Sequence, residues 1–169
     1  MLGRDLVAAA LLRGSFRLRS GAHSNYYLDK YLFTTQPDLL RRIAMEMAAR
    51  LPQAVQRLAG PVLGAVPLVT ALSLHTGVPS LIVRVDTPKD YGTAKRIEGS
   101  LQAGHRVVLV EDVVTTAGAA LTAVEVLREA GAEVLSALVV VDREEGAAAA
   151  FEAAGVSYQA LFTRSSLGL

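Results

Sequence analysis

Residues 107–120 read Val107-Val108-Leu109-Val110-Glu111-Asp112-Val113-Val114-Thr115-Thr116-Ala117-Gly118-Ala119-Ala120, and the architecture can be built outward from them. An uninterrupted apolar run, Val107 to Val110, gives way to two adjacent carboxylates, then to a loop of small and hydroxyl residues, then to a helical pattern. Apolar, β-branched residues without polar alternation predict a parallel strand covered on both faces. Glu111 and Asp112 then fall at the carboxyl end of that strand, the edge at which open α/β sheets bind ligands. The loop Thr115-Thr116-Ala117-Gly118-Ala119 leads into a helix predicted over Leu121 to Ala130. Backbone N–H groups of such a loop converge on an anion, helped by the helix N-terminus. Carboxylates beside an anion cradle suit a ligand that carries hydroxyls and a phosphate. A ribose phosphate has that chemistry.

The same pattern recurs on either side. Pro61 leads into a strand predicted over Val62 to Val66, and Pro67 opens a helix toward Thr76. The Gly77-Val78-Pro79 turn precedes an apolar run, Leu81 to Val85. Val134 to Val141 is another buried strand, a helix follows near Ala147 to Ala154, and Tyr158 to Phe162 is a last short strand. From residue 62 onward strand and helix alternate, which predicts an α/β fold with a central parallel sheet flanked by helices. Upstream, the reading is a helix from about Gly3 to Leu12, turns around short strands from Arg19 to Lys30, and a helix that starts at Pro37 and continues through Ile43, Met47 and Leu51.

With 169 residues, half of them apolar, the chain suits one domain with a sizeable core. Seventeen basic residues against 16 acidic give a net charge of +1, no sign of a nucleic-acid surface. There is no cysteine, so disulfides and thiolate metal sites are excluded, and His23, His75 and His105 show no ligand spacing. Leu6 to Leu12, preceded by Asp5 and followed by Arg13, reads as an amphipathic helix rather than a signal peptide, and no apolar run approaches a membrane span. The expectation is a soluble cytoplasmic protein.

Four strand ends carry unusual residues: the small Leu63-Gly64-Ala65-Val66-Pro67 segment, Arg84, Glu111-Asp112 with its loop, and Asp142-Arg143. Each alone reads equally as a solvated strand end or tight turn. Together they set cations and carboxylates around one crevice. Between Arg84 and Gly99 lies a polar stretch with Lys89, Lys95 and Arg96. Its composition favours an exposed β-hairpin over a lid that brings cations onto a polyphosphate, and both hold if the lid is a hairpin.

These residues resemble a known family. Glu111 to Gly118 is similar to the phosphoribosyl pyrophosphate (PRPP) motif of type I phosphoribosyltransferases. Phe16-Arg17-Leu18-Arg19-Ser20-Gly21 with Ser24-Asn25-Tyr26-Tyr27, Lys89-Asp90-Tyr91-Gly92-Thr93, and Val141-Asp142-Arg143 narrow the resemblance to orotate phosphoribosyltransferases, in the family's order and over nearly the whole chain. The resemblance implies Mg²⁺-dependent transfer of ribose 5-phosphate from PRPP to N1 of orotate. It implies one phosphoribosyltransferase domain over residues 1–169, with residues 1–35 contributing a small N-terminal hood. It also implies a homodimer whose catalytic loop acts in trans, and no nucleic-acid or membrane partner.

On this reading Lys89, Asp112 and Arg84 are catalytic. PRPP is bound by Arg84, Lys89, Tyr91, Glu111, Asp112, Val113, Val114, Thr115, Thr116, Ala117, Gly118 and Ala119, with Gly64 and Ala65 lining the pyrophosphate path. Orotate is bound by Thr115, Arg143, Arg19, Tyr26 and Tyr27. Mg²⁺ arrives on PRPP with no direct protein ligand assigned. The chemistry agrees: carboxylates stabilise the positive charge that develops on the ribose, and cations neutralise the departing pyrophosphate. Three departures from the family pattern stand out: Ala117 and Ala119 in the phosphate loop, Val85 with a longer segment to Lys89, and Ala65 in place of a common Gly. They keep two alternatives open, a regulator of the same fold that binds without catalysis and a transferase for another base.

Overall fold

The computed structural model describes residues 1–17, 21, 23–86 and 95–169. The described residues form two sheets. A hairpin of β1 (Leu11–Arg17) and β2 (His23–Leu28) pairs antiparallel, with Leu11 opposite Leu28 and Arg17 opposite His23. It follows α1 (Leu2–Ala10) and precedes α2 (Lys30–Thr34) and α3 (Pro37–Ala48). The main sheet contains β3 (Arg57–Pro61), β4 (Ser80–Val83), β5 (Ile97–Glu98), β6 (Arg106–Val114), β7 (Glu133–Asp142) and β8 (Ser157–Thr163) in the order β5-β4-β3-β6-β7-β8. All its pairings are parallel except β4 with β5.

The crossover helices are α4 (Ala65–Thr76), α5 (Gly118–Glu129) and α6 (Ala147–Ala153). Strand period explains how they share the sheet. Val107 and Leu109 pack with α5 and α6, through Ala120, Leu127 and Phe151. Val108 and Val110 pack with α1, α3 and α4, through Leu6, Ile43, Met47 and Leu68. A strand buried on both faces needs apolar residues at every position, which is why this run shows no alternation.

From β3 the chain moves outward to β4 on one side; from β5 it returns across β3 to β6 and then moves outward on the other side. The order therefore reverses between β3 and β6, and a topological switch point opens a crevice beyond the carboxyl ends of those two strands.

Several boundaries differ from the sequence reading. The strand expected over Val62 to Val66 lies earlier, at Arg57–Pro61, and Val62 to Gly64 form a turn before α4. The reason is packing. A Cβ on Gly60 would stand 2.8 Å from Val69 Cγ1 of α4, so the close approach of helix to strand demands a residue that carries no strand signal. Leu11 and Leu12, expected to end the first helix, start β1. The helix expected from Leu121 begins at Gly118, because Ala117 turns the chain with φ 63° and accepts the Leu121 N–H at 2.8 Å. Finally, β6 runs on through Glu111 and Asp112 to Val114, so the carboxylates belong to the strand rather than following it. Among the described residues no helix is long and apolar enough to cross a membrane.

Candidate active site

A cavity of about 630 Å³ occupies the switch-point crevice. It is lined by Glu111, Asp112, Val113, Thr115, Thr116, Gly118 and Ala119 from β6 and the start of α5, by Gly64 from the turn after β3, and by Lys30 from α2. Eight of the residues singled out from sequence thus meet at one site. Val114, Ala117 and Ala65 are buried behind its wall and shape it without lining it.

The two carboxylates sit differently. Glu111 continues the row of Val107 and Leu109, while Asp112 continues the row of Val108 and Val110, whose face carries α2. Glu111 Oε1 accepts the N–H of Asp112 at 3.1 Å. Asp112 is 1% exposed; its Oδ1 accepts the N–H of Val113 at 2.5 Å. Its Oδ2 faces the Lys30 ammonium at 3.0 Å and is otherwise without a hydrogen-bond donor.

Burial is the largest influence on Glu111, followed by the negative charge of Asp112, and its carboxyl is pushed up to about 8. Burial works against the charged form of Lys30, but Asp112 and then Glu111 outweigh it and hold the ammonium above its ordinary value. A Cβ on Gly64 would stand 1.7 Å from Asp112 Oδ2 and 2.7 Å from Lys30 Nζ. Only glycine allows the turn after β3 to cover this ion pair.

The loop beyond the carboxylates is open. Thr115, Thr116, Gly118 and Ala119 are exposed around the start of α5, where backbone N–H groups lack helical partners. Ala117 is in the left-handed region at φ 63°, a conformation that costs a residue with a Cβ about 1 kcal/mol.

Arg143 is seated beside this loop, its N–H donating to Val114 O at 2.9 Å across the β6–β7 ends. Its guanidinium lies 5.8 Å from the centre of the Tyr26 ring and pairs with Glu145 at 3.1 Å. Nε of Arg143 is buried without a partner. Tyr27 turns away from that pair and packs on Phe16, ring centres 5.7 Å apart. Arg84 does not line the cavity; it reaches Glu98 of β5 at 3.4 Å, and Val85 and Asp86 stand at the rim in its place. The flanks of the charged stretch pair antiparallel, Ile82 with Glu98 and Val83 with Ile97, as a hairpin stem requires. Arg19, Lys89 and Tyr91 lie outside the described residues.

Among the described residues no three His, Cys, Asp or Glu side chains converge to hold a metal ion. With Asp112 turned to Val113 and Lys30, the donor set suits a hard cation that arrives on phosphate oxygens, the usual habit of Mg²⁺ at such sites. Lys30 went unrecognised in the sequence. Nothing in its spacing ties it to Asp112; its one local sign is the preceding Asp29, which caps α2 by accepting the Tyr31 N–H at 3.0 Å.

Comparison with known proteins gives a consistent result. The phosphoribosyl transferase domain family matches residues 37–152. The orotate phosphoribosyltransferase of Halobacterium salinarum is 48% identical over 168 residues, covering 96% of this chain and 95% of the relative. That of Pyrococcus horikoshii is 49% identical over 157 residues, covering 91% and 84%. The structure of Mycobacterium tuberculosis orotate phosphoribosyltransferase in complex with 5-phospho-α-D-ribosyl 1-diphosphate superimposes with a TM-score of 0.79 at 35% identity, covering 99% of this chain and 97% of that one.

Proposed function

The chain belongs to the phosphoribosyl transferase family, in its orotate phosphoribosyltransferase branch, and from that premise we propose that the switch-point cavity holds PRPP while orotate docks between Arg143 and Tyr26. The reaction is transfer of ribose 5-phosphate from PRPP to N1 of orotate, a step of pyrimidine biosynthesis. The observation that carries the site assignment is the union, in one cavity, of two buried carboxylates with the exposed N-terminal turn of α5.

The roles follow from charge. Glu111 and Asp112 hold the ribose hydroxyls, and the charged Asp112 stabilises the positive charge that builds on the ring as pyrophosphate leaves. Amides of Thr115 to Ala119 hold the 5′-phosphate. Backbone of Gly64 and Ala65 lines the pyrophosphate path. Arg84 meets Glu98 only at 3.4 Å, longer than charged hydrogen bonds of about 2.7–2.9 Å, so its guanidinium is free to exchange that partner for pyrophosphate. Lys89 and Tyr91 join it. Mg²⁺ bound through PRPP supplies further positive charge to the leaving group.

An unpartnered buried donor costs about 1–3 kcal/mol, and the carboxylate of orotate satisfies Nε of Arg143. Tyr26, Thr115 and Arg19 complete the base site; Tyr27, expected there, instead packs on Phe16 in the hairpin that carries Tyr26. Orotate is itself a competent nucleophile, so the protein's work is positioning and electrostatics.

Residues 1–35 act as a hood over the base within one domain of 169 residues. The working unit is a homodimer in which the loop around Lys89 serves the neighbouring site. Support for a partner copy comes from α4 and the turn before it, which leave Leu63 and Leu74 at 67% and 82% exposure. A pair of small anionic substrates suits a cytoplasmic enzyme. The test is loss of orotate absorbance with PRPP and Mg²⁺ present. Release of one pyrophosphate per orotate consumed is the expected result; PRPP binding without turnover would contradict it.

A further inference from the structure

Among the described residues Lys30 is the one member of the cavity wall contributed by the N-terminal segment, and the transfer chemistry described above gives it no role. Its backbone is fixed before its side chain is considered. Asp29 N–H donates to Ala10 O at 2.9 Å, at the junction of α1 and β1, and the Asp29 side chain caps the helix that Lys30 opens. From that anchored position the ammonium reaches 3.0 Å from Asp112 Oδ2. Gly64 closes over the pair, with no room for a single methyl group. Asp112 is 1% exposed and the Lys30 side chain about one-third exposed, so solvent cannot replace Lys30 at the buried oxygen while the ammonium still meets the cavity.

The electrostatic setting makes this contact more than a tether. Glu111 and Asp112 are adjacent and both buried, and the donor of the reaction is a polyanion. Burial keeps the Glu111 carboxyl largely protonated at neutral pH, so the charge that would repel the ligand is that of Asp112. Of the other cations near this crevice among the described residues, Arg84 is turned to Glu98 and Arg143 to Glu145 and the Tyr26 ring.

We propose that Lys30 is a positioning residue for the transfer reaction: it fixes the Asp112 carboxylate beneath Gly64 and offsets the buried negative charge that PRPP must approach. This rests on the orotate phosphoribosyltransferase reading of the site. It also makes α2 the element through which the N-terminal segment, which supplies Tyr26 on the base side, is coupled to the ribose side.

The test is steady-state kinetics of the full chain for wild type, Lys30→Met, Lys30→Gln and Lys30→Arg, varying PRPP at saturating orotate and orotate at saturating PRPP. Loss of one member of a buried charge pair is a large perturbation. The uncharged variants are expected to raise KM for PRPP by at least about tenfold, with KM for orotate within about twofold of wild type and kcat changed less than KM for PRPP. Lys30→Arg is expected to recover most of the loss. A merely structural lysine would move both KM values together, or neither, and Arg would do no better than Met; either pattern overturns the proposal. Should both uncharged variants fail to fold, Lys30→Arg decides alone: a near wild-type KM for PRPP supports the role, and a tenfold rise rejects it. A wild-type protein that consumes no orotate would instead reject the parent reading, whatever the variants do.

Discussion

In the carboxylate half of the cleft, Glu111 and Asp112 lie within β6 at 8% and 1% exposure, covered by Gly64 and braced by Lys30. Three residues beyond Asp112, Thr115 and Thr116 stand exposed in the loop that opens α5. The first half is built as core and the second as surface. In the first, a group proposed to bind ligand also holds the fold, because a buried charge must be paired whether or not substrate is present. In the second, the proposed binding groups are backbone amides that ask only for the right loop shape. Substitutions in the carboxylate half should therefore cost stability and activity together, whereas those in the loop should separate the two.

The largest expected effect is on turnover. Asp112→Asn removes the charge opposite the developing ribose cation and strands Lys30; kcat should fall about 10²–10³-fold, as when one group aimed at a transition-state charge is lost. A fall under about tenfold would show that Asp112 is scaffold alone. Gly64→Ala comes next. Its Cβ would enter the space of Asp112 Oδ2, so urea unfolding should reveal a loss of roughly 2–3 kcal/mol, with PRPP binding weakened in parallel. Unchanged stability would mean that the cover over the ion pair is loose.

The raised pKa of Glu111 predicts a loss of stability as pH rises. Its carboxyl titrates at about 8 in the folded protein against 4.5 unfolded, so the stability it contributes is complete below about pH 4.5 and lost as pH rises through 8. Urea midpoints should fall between pH 6 and 9 in wild type and flatten in Glu111→Gln; equal slopes would remove Glu111 as the cause. The smallest effect belongs to the loop. Ala117→Gly should relieve the left-handed strain and stabilise by about 1 kcal/mol, with turnover retained. Destabilisation there would show that the phosphate half is braced like the carboxylate half.

The parts of the molecule that could be read from sequence are those whose signal is local. Val107 to Val110 and Val134 to Val141 announce buried strands because burial on both faces leaves no polar position. Pro37 marks the first turn of its helix as expected. The strand at Arg57–Pro61 was displaced in the reading because Ala59 and Gly60 are small for the sake of α4, and packing against a helix leaves no periodic trace. At the site, the adjacency of Glu111 and Asp112 at a strand end suggests a ribose-phosphate ligand, but their burial inside β6 depends on neighbours in β3, β7 and α2. Lys30 was invisible for the same reason: its partner is 82 residues away in sequence and joined to it only by the fold. Ala117 is the intermediate case, where the family pattern flagged a position that wants glycine and the backbone confirms the left-handed turn.

The central claim, that this cleft joins PRPP to orotate, is tested most directly by a competition. The protein is given PRPP and Mg²⁺ with equimolar orotate, adenine, hypoxanthine, guanine and uracil, and the nucleotide product is identified by mass. Orotidine 5′-monophosphate as the dominant product is the predicted result. A purine nucleotide, uridine monophosphate or no nucleotide at all would contradict it.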